Sequence, residues 1–142
     1  MFYAAFSPDA IVIAKEEYEY DKNEETGPPV LLVVEIKSKC TSSTVKKETD
    51  LATRHGKFAT IHIDLNDGEG GGDFNQLVPE PEYRCQLVHN IACAGLRQAF
   101  YVVASLQKII RIVHVHVSGD AVEQYRLALQ EIHDRELCWI LA

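Results

Sequence analysis

Two charged residues, Glu35 and Lys37, close an otherwise apolar run, Val30-Leu31-Leu32-Val33-Val34-Glu35-Ile36-Lys37, and an aspartate, Asp9, stands at the mouth of another, Ala10-Ile11-Val12-Ile13-Ala14. Period-two alternation puts Glu35 and Lys37 on one face of a strand while Ile36 points to the other. Charges at the end of a buried strand are costly unless they pair with each other or with a metal. With Asp9 on the neighbouring strand, two carboxylates and one ammonium converge. Hard oxygen ligands suit magnesium or manganese, which activates water and stabilises phosphorane charge, while a lysine positions the nucleophile, so the chemistry that fits is phosphodiester hydrolysis. Taken alone, a Glu-x-Lys pair at a strand end is more often a surface salt bridge.

The elements that must position these residues follow from local pattern. Pro8 marks the start of the first strand, because proline cannot hold a central ladder position. Residues 15–29 are polar and end in Thr26-Gly27-Pro28-Pro29, which predicts an exposed hairpin connection. The run 30–37 predicts a central strand covered on both faces. A polar stretch from Ser38 to Lys57 is expected to leave the sheet next to the proposed site, before a weaker strand over 58–65. The glycine cluster from Gly68 to Gly72 lacks a phosphate-cradling spacing and predicts a loop with no helix behind it. A helix is expected over about 81–94, with a proline near its first turn and Gly95 as its stop. Strands over 100–104 and 109–117 should pair as a hairpin. Asp120 and Glu123 have the spacing of a capping box, and Val122, Tyr125, Leu129 and Ile132 repeat at helical spacing, predicting a last amphipathic helix.

The order Ser7-Pro8-Asp9-Ala10, then Val34-Glu35-Ile36-Lys37, then a helix with Tyr83-Arg84-Cys85-Gln86 resembles the PD-(D/E)xK nuclease superfamily, most of all its lambda-exonuclease or YqaJ-type viral recombinase branch. The resemblance covers most of the chain. It implies a single α/β domain over 1–142: a restriction-endonuclease-like core with a central mixed β-sheet flanked by α-helices. It further implies that Asp9 and Glu35 bind Mg2+ or Mn2+ with the Ile36 carbonyl as a further ligand, that Lys37 assists the attacking water, and that Gln86 orients the site. The substrate implied is DNA. The family's first helix, with its extra acidic ligand, has no counterpart in the eight residues before Asp9, so a truncated fragment of a longer protein, a homo-oligomer or partner chain supplying the helix, or a catalytically inactive module binding nucleic acid or protein are the alternative expectations.

A net charge of -7 opposes general nucleic-acid affinity, yet Lys37, Lys39, Lys46, Lys47, Arg54 and Lys57 concentrate six of the fourteen basic residues in one stretch. Lys39, Lys46, Lys47, Arg54 and Lys57 are the candidate phosphate contacts, and a merely solvated loop is the competing reading. No apolar run approaches the roughly 20 residues that span a bilayer, so no membrane association is expected. The N-terminal residues lack a basic region and long apolar core, which predicts an intracellular protein of the cytoplasm or nucleus. Cys40, Cys85, Cys93 and Cys138 form no Cys-x-x-Cys pair and are expected to be isolated thiols, three of them packed. His89 with Cys93, and His114 with His116, share faces that zinc can use, but more often such pairs are structural. Ser7, Ser38 and Ser118 lie outside a GxSxG context, which argues against covalent hydrolysis.

Overall fold

The computed structural model describes residues 8–14, 30–64 and 72–141. Five strands and four helices follow in the order β1 (Ala10–Ala14), β2 (Val30–Ser38), α1 (Ser42–His55), β3 (Phe58–Ile63), α2 (Gly72–Leu77), α3 (Pro81–Ala94), β4 (Gln98–Ala104), β5 (Ile109–Val117) and α4 (Gly119–Leu141). The strands form one mixed sheet in the order β1-β2-β4-β5-β3. β1 and β2 are antiparallel, β4 runs parallel to β2, β5 returns antiparallel to β4, and β3 runs parallel to β5. This is an α/β sheet flanked by helices, with β2, β4 and β5 at its interior. The connection predicted over 15–29 lies outside the described residues.

The apolar run of β2 is buried as expected from Leu32 through Glu35, whereas Leu31 and Ile36 are exposed. Val33, Ala99, Tyr101, Val103, Val113, Val115 and Ile61 share one side of the sheet, and they join Phe74 and Leu77 of α2, Leu87 and Ile91 of α3 and Val122 of α4 in one core. The other side carries rings in a row: Phe58 is 6.3 Å from Phe100, which is 4.8 Å from His114, and His116 is 4.1 Å from His114 and 4.7 Å from His62. At that spacing His114 and His116 stack on neighbours, and His114 Nε2 pairs with Gln98 Oε1 at 2.9 Å.

Three features depart from the sequence expectations. The stretch after Lys39 is a helix, not a loop. Thr41 caps α1, its Oγ1 accepting from the Thr44 amide. The apolar stripe of α1 is sparse because one of its core-facing positions is filled by Glu48, 1% exposed, which Arg111 of β5 neutralises at 2.7 Å. A short helix, α2, also follows the glycine cluster; Phe74 and Leu77 draw it onto the core. Third, α4 is capped by Ser118, whose Oγ accepts from the Ala121 amide, and not by Asp120. Of its stripe Val122 is buried, whereas Ile132 is 56% exposed; α4 packs against α3, Tyr125 meeting His89.

α3 begins and ends as its sequence dictates. Pro81 occupies the first turn, where its missing N–H costs nothing, and Gly95 takes a left-handed φ of 69° while its amide donates to the Ala92 carbonyl. Cys40 and Cys85 are exposed rather than packed and Cys93 is half-buried, all three as free thiols; the side chain of Cys138 lies outside the described residues.

Candidate active site

The antiparallel register that pairs Ala10 with Val34 places Asp9 opposite Glu35. The Asp9 amide continues the ladder to the Val34 carbonyl at 3.1 Å, and its Oδ2 accepts from the Ile36 amide at 2.6 Å. Both backbone groups of one strand residue point the same way, so the Ile36 carbonyl faces the same edge, beside Asp9. Asp9 is exposed, whereas Glu35, one strand further in, is 1% exposed.

Helix α3 lies over this strand end and addresses it residue by residue. Tyr83, Gln86 and Asn90 fall on one helical face at i, i+3 and i+7. Gln86 Oε1 accepts from Lys37 Nζ at 2.7 Å, and Asn90 Nδ2 donates to Glu35 Oε1. The Tyr83 ring centroid lies 4.5 Å from Lys37 Nζ and 5.2 Å from Lys39 Nζ. Helix and strand therefore run in opposite directions, Tyr83 matching Lys37 and Lys39, Gln86 matching Lys37, and Asn90 matching Glu35.

Electrostatically, burial pushes the Glu35 carboxyl above its ordinary range; the Asn90 amide opposes this, the nearby Asp9 adds to it, and Lys37 pulls it back. A buried acid beside a second carboxylate is a group that a cation would relieve. The donor set offers two carboxylates and one peptide oxygen. That matches magnesium, which is held by one or two carboxylates and keeps waters or substrate phosphates in its remaining positions. Among the described residues no three His, Cys, Asp or Glu side chains converge as a metal group.

The structure thus brings together Asp9, Glu35, Ile36, Lys37 and Gln86. The basic residues divide. Lys39 lies at the Tyr83 ring, and Lys47 reaches Glu80 at 3.7 Å, next to the start of α3. Lys46, Lys47 and Arg54 line a shallow depression on α1 with Ser43, Asp50 and Leu51, and Lys57 follows α1 in the turn into β3. His89 turns to Tyr125, its Nδ1 2.9 Å from the phenol oxygen, with Cys93 Sγ 3.6 Å from Nε2; burial raises both the Cys93 thiol and the Tyr125 phenol.

Sequence reasoning missed Asn90 and Tyr83 as partners of the charged strand end. Their i−3 and i+4 spacing from Gln86 puts both on its helical face. It also missed the layer beyond them. Tyr101 pairs with Glu35 in register across β2 and β4, and Arg111 pairs with Val103 across β4 and β5. Arg111 donates from Nε to Glu48 and from Nη1 to the Leu77 carbonyl, with its guanidinium carbon 5.6 Å from the Tyr101 ring. Tyr101 Oη and Arg111 Nη2 are buried without a partner among the described residues. Burial, then the carboxylates of Glu80 and Glu48, raise the Tyr101 phenol far above its ordinary range against the pull of Arg111.

Set against known proteins, the chain matches no family model, no curated protein and no solved structure, and its site stands on the geometry above.

Proposed function

We propose that this domain is a metal-dependent nuclease that hydrolyses phosphodiester bonds in DNA. The observation that carries the reading is the convergence of Asp9, Glu35 and Lys37 at one strand end under Gln86. Asp9, Glu35 and the Ile36 carbonyl would hold Mg2+ or Mn2+. Such an ion, when bound, lowers the pKa of a coordinated water and offsets charge building on the phosphoryl oxygens. Lys37, fixed by Gln86, orients the attacking water and balances negative charge beside the reacting phosphorus. Asn90 fixes the rotamer of Glu35, as outer hydrogen bonds to metal-binding carboxylates do. Lys39, Lys46 and Lys47 contact the strand's phosphates, with Arg54 further along α1 and Lys57 in the turn after it.

A second reading, an inactive relative that binds nucleic acid or a protein partner, is favoured by the lack of a third converging acid among the described residues. No helix among those residues is long and apolar enough to cross a membrane.

The test is Mg2+- or Mn2+-dependent cleavage of single- and double-stranded DNA by the wild type, Glu35→Ala and Lys37→Ala, with folding checked by circular dichroism and Mn2+ binding by calorimetry. Cleavage lost in both variants supports the nuclease. A wild type that neither cleaves nor binds metal leaves the inactive module.

A further inference from the structure

Lys37 stands near the end of β2 and Lys39 directly follows the strand, its amide continuing the ladder to the Ala104 carbonyl at 2.8 Å, so the two side chains leave on the same face about 6.6 Å apart at two residues' rise. Both ammonium groups reach the Tyr83 ring, at 4.5 and 5.2 Å from its centroid. Neither forms an ion pair within 4.0 Å with any described residue, although Lys47, Arg111, Arg126 and Arg135 all do. Two like charges drawn to one neutral ring repel each other, and a ring quadrupole does not neutralise either of them. Glu35 offsets part of the Lys37 charge from within the site, and the charge left on Lys37 together with that on Lys39 suits two anions in a row.

We propose that Lys37, Lys39 and Tyr83 form a two-phosphate clamp: Lys37 takes the phosphate at the reacting position and Lys39 the next phosphate along the same strand, with Tyr83 holding both side chains in place. The inference rests on the nucleic-acid reading of this site and assigns Tyr83 as a positioning residue. Lys37 has a second anchor in Gln86, whereas the Lys39 ammonium rests on the Tyr83 ring. Removing the ring should therefore cost Lys39 its placement more than Lys37. The ligand class is a chain of consecutive phosphodiesters, and an isolated phosphate monoester would engage only half of the clamp.

The experiment measures binding of a fluorescently labelled oligothymidylate in EDTA, where cleavage cannot occur, across a range of salt. For single strands each phosphate contact contributes about 0.7 to the slope of log affinity against log salt. Lys39→Gln should reduce the slope by about 0.7, so that between 50 and 200 mM salt the wild type loses about threefold more affinity than the variant. Tyr83→Leu should reproduce that loss, Tyr83→Phe should keep the wild-type slope, and the Tyr83→Leu/Lys39→Gln double variant should be no weaker than Lys39→Gln alone. An unchanged slope in Lys39→Gln overturns the clamp, as does full additivity in the double variant. Should Tyr83→Leu fail to fold, the Lys39→Gln slope decides by itself. Because metal is absent, an inactive wild type would sink the nuclease reading while leaving this result standing, and the reverse holds equally.

Discussion

Asn90 donates its side-chain amide to the Glu35 carboxylate, joining the middle of α3 to the centre of the sheet through two buried polar side chains, 2% and 1% exposed. A helix residue thereby fixes the rotamer of an acid that the strand alone would leave free to swing. The contact also lessens, without cancelling, the cost of keeping a carboxylate out of water.

That residual cost gives the first expectation. Glu35→Gln, measured in EDTA at neutral pH, should raise the free energy of unfolding obtained from urea denaturation by an amount on the order of 1 kcal/mol, while abolishing metal-dependent cleavage. A variant less stable than the wild type would mean that the Glu35 carboxylate is better satisfied than its burial implies.

Gln86→Ala frees the Lys37 ammonium from its 2.7 Å partner without touching either acid. Cleavage should fall by about 10- to 100-fold, as when a supporting hydrogen bond is lost, and Mn2+ affinity should change little. Lys37→Ala should lose more, on the order of 100- to 10,000-fold. Single-turnover rates of the two variants check the ordering.

The Arg111–Glu48 pair should show strong coupling. Breaking it from one side, as in Glu48→Leu or Arg111→Met, leaves a buried charge alone and should cost about 3–5 kcal/mol. The double variant should recover most of that loss, because two apolar side chains replace two charges. Chemical denaturation of the four proteins of the cycle measures it, and additive losses would contradict the pairing.

Tyr101 sets the alkaline limit. Its phenol is held far above the ordinary value of 10, chiefly by burial. A folded-state pKa raised in this way contributes stability that is present below about pH 10 and is lost as pH rises toward the folded value, because the unfolded chain ionises first. Tyr101→Phe removes an oxygen that has no partner among the described residues, so it should change stability by about 1 kcal/mol or less at pH 7. Between about pH 10 and 12 it should become progressively more stable than the wild type, as read from unfolding midpoints across that range.

Much of the frame was legible because it obeys simple periods. β1, β2, β3 and β5 follow their apolar runs, β4 starts two residues earlier than its run suggests, and α3 matches its proline and glycine punctuation. The meeting of Asp9, Glu35 and Lys37 at one strand end follows from strand-mouth position and period-two spacing, whereas Gln86 entered only through the resemblance. α1 was not, because Glu48 stands where an apolar residue would mark the helix and its justification, Arg111, is 63 residues away in the chain. Asn90 was hidden in the same way, its role existing only once α3 is laid antiparallel over β2. Buried polar pairs are specified across the fold rather than along the sequence, and local pattern does not register them.

The two carboxylates of the site do not ride on equally secure supports. Glu35 belongs to an interior strand held on both sides, whereas Asp9 precedes a five-residue strand at the sheet's margin. Short marginal strands open locally at a fraction of the global unfolding free energy. A cation shared by Asp9 and Glu35 would act as a clasp on this seam, adding stability in proportion to the logarithm of its concentration above the dissociation constant. The first amide to register it should be that of Val12, the register partner of Leu32, whose backbone groups lie on the same side of β2 as the Ile36 amide: its hydrogen exchange would slow with added Mn2+ well before any change reached the amides shared by β4 and β5.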